Sequence, residues 1–108
     1  MAELGNHGAE LSIESRHEPG GTPVLKLAGE LDISSAPRLE AAVEGAVTER
    51  PELLVFELSE LEFMDSAGIA VLIGASQQVG SVTLRNPSPI VRRVLELTGL
   101  VQVLGVEP

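Results

Sequence analysis

The sequence predicts an α/β domain built on a mixed sheet of four or five strands. Three observations carry this. Two strand-like segments near the N-terminus, the first of them alternating, are joined by a Gly-Pro cluster, the pattern of an antiparallel hairpin. From there on, short apolar runs of strand character alternate with helical stretches, the pattern of parallel strands joined by right-handed crossovers. Each helical stretch opens on Ser, Asp or Pro, the residue types that start helices. The expected order is ββαβαβαβ. Its three helices should lie mainly on one side of the sheet, because the hairpin brings no helix of its own.

In chain order, residues 1–9 show no periodicity and read as a flexible N-terminus that carries His7; a single domain fills 10–108. Leu11, Ile13 and Ser15 alternate with Ser12, Glu14 and Arg16, a half-exposed strand. A turn cluster over 18–23 leads to a second strand at 24–28. Ser34, Ser35 and Pro37 open the first helix, with Leu39, Val43, Ala46 and Val47 on its apolar face and Pro51 closing it. Residues 53–58 are an almost continuous apolar strand with Phe56 buried. A loop over 61–65 turns into a second helix running to about Gln78. A strand at 81–85 and a Ser88-Pro89 helix start follow. The third helix should use Ile90, Val94 and Leu97 as one face, with Val91 and Leu95 beside them. Gly99 is placed as its C-terminal cap, and 101–104 as a last short strand.

Composition narrows the functions available. The net charge is −9, and of seven basic residues only Arg92 and Arg93 are adjacent, with Phe56 and Phe63 the only aromatics. That lacks the basic stripe and stacking surface of a nucleic-acid binder. Without cysteine there is no disulfide, thiol nucleophile or thiolate metal site. No apolar run approaches the roughly 20 residues of a membrane span, and Glu3 stands where a signal peptide wants positive charge. A cytoplasmic location without membrane insertion is expected.

Catalysis has few candidate groups. The histidines, His7 and His17, both precede any plausible nucleophile, and no Gly-Xaa-Ser-Xaa-Gly or Gly-rich phosphate loop occurs. No metal-ligand spacing is present, and nothing shapes a pocket around Asp32 and Asp65. The chain reads as no enzyme, with no cofactor and no metal.

What remains is a pair of loops. Asp32 and Asp65 are the only aspartates, and each immediately precedes a helix after a strand of the same sheet. Both loops should emerge on one edge. Helix capping alone accounts for such residues, at about 1 kcal/mol each. Ser66, however, sits where a helix start gathers unpaired N–H groups and the positive end of the macrodipole. An added phosphate is well tolerated in such a place.

Three stretches resemble the STAS domain of bacterial anti-sigma-factor antagonists. They are Gly29-Glu30-Leu31-Asp32, then Leu61-Glu62-Phe63-Met64-Asp65-Ser66-Ala67-Gly68, then the run from Asn86-Pro87-Ser88-Pro89 through Arg92-Arg93 to Leu97-Thr98-Gly99-Leu100. The likeness covers about residues 10–106 in the family's order. It implies that Ser66 is a phosphoacceptor and that Asp32, Met64, Asp65, Ser66 and Gly68 contact a partner. The implied partner is an anti-sigma factor with serine kinase activity. Unmodified antagonist would bind it and free the sigma factor, modification would end binding, and a PP2C-type phosphatase would reset the switch. Two other STAS roles stay open: a non-phosphorylated subunit regulating an ABC-type transporter ATPase, and a nucleotide-binding sensor domain. The sequence departs from the family pattern in the interval from Gly68 to Ser88, shorter by about one helical turn, which predicts a trimmed second helix. The family's usual fourth helix after Val103-Leu104 is either missing or cut off.

Overall fold

The computed structural model describes residues 10–107, so the expected flexible stretch 1–9, with His7, lies outside the described residues. Five strands form one sheet in the order β1-β2-β3-β4-β5. They are β1 (Ser12–His17), β2 (Pro23–Leu31), β3 (Leu53–Met64), β4 (Ser81–Arg85) and β5 (Gly105–Glu107), interleaved with α1 (Ala36–Val47), α2 (Ser66–Ser76) and α3 (Pro89–Leu97). β1 and β2 are antiparallel and every later pair is parallel. This is the anticipated ββαβαβαβ order.

The two sheet faces differ. Leu25, Phe56 and Leu84 form a cross-strand row whose members are 1% exposed or less. They join one cluster with Leu39 and Val43 of α1, Leu72 and Ala75 of α2, and Val91 and Leu95 of α3. All three helices therefore cover the same face. The register on the opposite face runs Glu14, Lys26, Glu57, Arg85, Glu107 across all five strands. Charges of alternating sign on neighbouring strands attract one another there and shield Val24 and Val55, which are 0% exposed, without a helix. Arg85 pairs there with Glu18 and with Glu107.

Several elements differ from the sequence reading. β3 does not stop near Leu58 but continues to Met64, so most of the expected loop is strand. It pairs with an equally extended β2 through Gly29↔Leu61, Glu30↔Phe63 and Leu31↔Met64, with register shifts on either side of Gly29. Those bulges let polar Glu60 and Glu62 point outward while Leu61 and Met64 stay in the core. α2 ends at Ser76, two residues early, and tightens through Gln77 and Gln78 N–H bonds to Gly74 and Ala75 carbonyls. On α3 the buried positions are Val91 and Leu95, whereas Ile90 and Leu97 are exposed. The face is set by what α3 lies on, which is β3. Gly99, with φ +78°, ends α3 as expected, but Leu100–Gln102 then form a 3₁₀ turn, and the last strand starts only at Gly105. Leu100 and Leu104, at either end of this turn, are buried in the core.

Candidate functional site

β2 and β3 run parallel, so their C-terminal ends, Leu31 and Met64, finish side by side. The residues that follow are Asp32 and Asp65. The Asp65 N–H donates to the Leu31 carbonyl at 3.1 Å, which binds the two loops directly. Asp32 and the Asp65-Ser66 pair thus share one edge of the sheet.

Each aspartate is held by its own loop. Asp65 is the N-cap of α2 in an extended conformation, and its Oδ1 accepts from the N–H groups of Ala67 at 2.9 Å and Gly68 at 3.2 Å. Asp32 closes a tight turn: its Oδ1 accepts from the Ser34 hydroxyl at 2.6 Å and the Ser34 N–H at 3.0 Å. The Ser34 hydroxyl is the chief cause that holds the Asp32 carboxyl below the usual aspartate range, against a smaller opposing effect of burial. Ser35 occupies the N-cap position of α1 but does not cap it with its side chain. Its hydroxyl instead accepts from the Asp32 N–H at 2.9 Å and reaches the Glu30 carbonyl at 3.2 Å. Asp32, not Ser35, therefore organises the entry to α1; its carbonyl also accepts from the N–H groups of Ser35 and Ala36.

Ser66 is the first residue of α2 and is exposed. Its hydroxyl stands at the positive end of the helix dipole, beside the Asp65 carboxylate. Met64 and Gly68 take a different part from the surface contacts expected of them. Met64 is 2% exposed and Gly68 is buried. A Cβ built on Gly68 would meet Leu31 Cγ at 2.6 Å and Met64 Cγ at 3.0 Å. These two residues seat the first turn of α2 tightly onto the strand ends, and so position Ser66 from below.

One exposed residue at this edge escaped the sequence reading. Ile33 lies between Asp32 and Ser34 and is 78% exposed. Its signal was present: an apolar residue in a turn of Asp and Ser has no packing reason. An apolar tip flanked by carboxylates and hydroxyls suits a protein contact better than a small-molecule site.

Catalytic partners are distant. His17 is at the start of the β2 pairing, opposite Pro23, and bonds Glu49 at 2.8 Å. The length of β2 separates it from Ser66, roughly 25 Å at strand rise. Among the described residues no group of three or more metal-ligating side chains is assembled, and no helix is long and apolar enough to cross a membrane.

The STAS domain model matches residues 12–108. An anti-sigma F factor antagonist of Paenibacillus polymyxa is 31% identical over 89% of this chain and 86% of its own length. A crystal structure of an anti-sigma factor antagonist from Mycobacterium paratuberculosis superposes with a TM-score of 0.81 at 31% identity, covering 92% of this chain and 86% of that one. The Bacillus cell fate determinant SpoIIAA in its phosphorylated form superposes with a TM-score of 0.68 at 26% identity, covering 88% and 90%. On its fold, its paired strand-end loops and these relatives, the chain belongs to the STAS domain family, among the anti-sigma-factor antagonists.

Proposed function

We propose that this protein binds an anti-sigma factor through the Asp32 and Asp65-Ser66 edge, and that phosphorylation of Ser66 by that partner, a serine kinase, ends the binding. The observation that carries the reading is an exposed hydroxyl at the first position of α2, beside a capping carboxylate and on the same edge as Asp32. The named relatives support it, as does the existence of a phosphorylated form of SpoIIAA. Binding of the unmodified protein frees the sigma factor, and a PP2C-type phosphatase restores the unmodified state. The setting is the cytoplasm.

The electrostatics make Ser66 a switch without refolding. Phosphorylation adds about −1.5 to −2 charges. Within the domain the α2 dipole offsets this cost, while Asp65 keeps its two cap bonds. At an interface the new charge stands with Asp65 and Asp32, and no helix end of the partner is obliged to compensate it. Like-charge contact of this kind costs several kcal/mol; 2 kcal/mol is already roughly thirtyfold in affinity.

The test uses wild type, Ser66→Ala and Ser66→Asp as baits for proteins of the source cell. A serine kinase retained by wild type and Ser66→Ala and lost with Ser66→Asp is expected. A transporter ATPase held equally by all three would replace this reading.

A further inference from the structure

From the groove behind the Ser66 edge, we infer that this protein has a second docking site, one that takes a basic, leucine- and arginine-bearing segment of a protein partner. The groove lies where β2 and β3 outrun β4, which pairs β3 only from Leu53 to Glu57. Its lining includes Ala28 and Glu30 of β2, Glu60, Glu62 and Phe63 of β3, and Ile90 at the start of α3.

Two independent features point to the occupant. The first is Glu30. The residue is only 9% exposed, yet its carboxylate makes no hydrogen bond or ion pair with the described residues. Every fully buried side-chain oxygen and nitrogen among them has a partner. The Glu30 carboxylate oxygens must therefore be the part that reaches solvent, and the groove is the solvent they reach. A carboxylate that meets solvent through the groove and has no counter-group among the described residues can accept two N–H donors from a guanidinium placed there. The second is complementarity. Among the described residues the lining carries four carboxylates, Glu10, Glu30, Glu60 and Glu62, and no basic residue. Among the described residues only Glu60 of these four has an ion-pair partner, Lys26 at 3.2 Å from outside the groove. Apolar contact comes from half-buried Phe63 and from Ile90, which is 61% exposed. An arginine for Glu30, flanked by leucines for Phe63 and Ile90, fills all of these at once.

The site differs from the Ser66 switch. Glu30 and Phe63 pair across the sheet face that no helix covers, and their occupancy needs no modification of Ser66. The groove opens near the same edge, since Glu30 stands two residues before Asp32 and Phe63 three before Ser66. One partner can therefore hold both, gripping the edge and reaching behind it.

The test is a titration of the isotope-labelled protein, followed by amide shifts, with a capped hexapeptide containing two leucines and two arginines. The same peptide with citrulline for arginine is the neutral control. Shifts at residues 28–30, 60–63 and 89–90 that saturate with the arginine peptide are expected, with at least tenfold weaker binding of the citrulline peptide. Glu30→Gln should weaken the arginine peptide at least tenfold and leave the thermal midpoint no lower than wild type. Ile90→Ala, at an exposed position, should weaken it severalfold without unfolding risk, and Glu14→Gln, outside the groove, should leave it unchanged. Equal binding of both peptides, full affinity in Glu30→Gln, an equal loss in Glu14→Gln, or no saturable shifts at millimolar peptide would overturn the inference. The titration involves no kinase, so its failure and that of the Ser66 switch are separate results.

Discussion

Replacing Gly68 by alanine tests how the site is seated. The added Cβ would lie 2.6 Å from Leu31 Cγ, 2.7 Å from Leu31 Cδ2 and 3.0 Å from Met64 Cγ. Carbon atoms in contact prefer about 3.5–4.0 Å, so each gap must open by up to about 1 Å. Leu31 is 0% exposed and Met64 2%, and neither has room to retreat. Overpacking of this kind costs about 1–3 kcal/mol. Alanine returns about 0.5–1 kcal/mol by its better helix propensity. Taken at the middle of both ranges the net loss is about 1.2 kcal/mol, a fall in Tm of roughly 5–10 °C for a domain this size. Gly74, in the same helix, is the control: a Cβ there meets nothing within 4 Å. Gly74→Ala should keep the propensity gain alone and raise Tm by a few degrees. Thermal unfolding followed by circular dichroism reads both. The residues displaced in Gly68→Ala directly precede Asp32 and Asp65, so amide shifts should concentrate at residues 31–35 and 64–68. A Gly68→Ala protein as stable as wild type, or a Gly74→Ala protein equally damaged, would refute the seating argument.

Three further outcomes follow from the same contacts. Asp65→Ala removes the oxygen that caps two N–H groups of α2 and should cost about 1–2 kcal/mol in urea unfolding, with Asp65→Asn recovering most of it. Ser88→Ala should cost a similar amount, about 1–2 kcal/mol, because its hydroxyl donates to the Leu61 carbonyl at 2.8 Å and accepts from the Val91 N–H at 3.4 Å; a loss below about 0.5 kcal/mol would show that the link between α3 and β3 is idle. The Asp32 carboxyl is held below its ordinary value, chiefly by the Ser34 hydroxyl. A depressed folded-state pKa stabilises above the unfolded value and loses that stability as pH falls through the folded value, so the effect lies below about pH 4. Ser34→Ala should raise the Asp32 pKa toward normal in a side-chain NMR titration and flatten the acid limb of stability; an unmoved titration would assign the shift elsewhere.

Much of this protein was written locally. The order of strands and helices came from hydrophobic period, and the caps at Asp65, Ser88 and Gly99 from residue types whose preference is set within one turn. The proximity of Asp32 and Asp65 also followed, since parallel neighbours must end on the same side. Local pattern could not settle how far β3 runs, because Leu61 to Met64 are strand only through pairing with Gly29 to Leu31 across two bulges. It could not choose the face of α3, where two apolar stripes competed and packing on β3 selected Val91 and Leu95. Nor could it separate Ser66, which meets solvent, from Met64 and Gly68, which lie beneath it. Sequence fixes what each residue offers its own turn of chain. Which of them remains open to another molecule depends on distant segments closing over the rest, and here that decision belonged to the tertiary packing of α2 on the ends of β2 and β3.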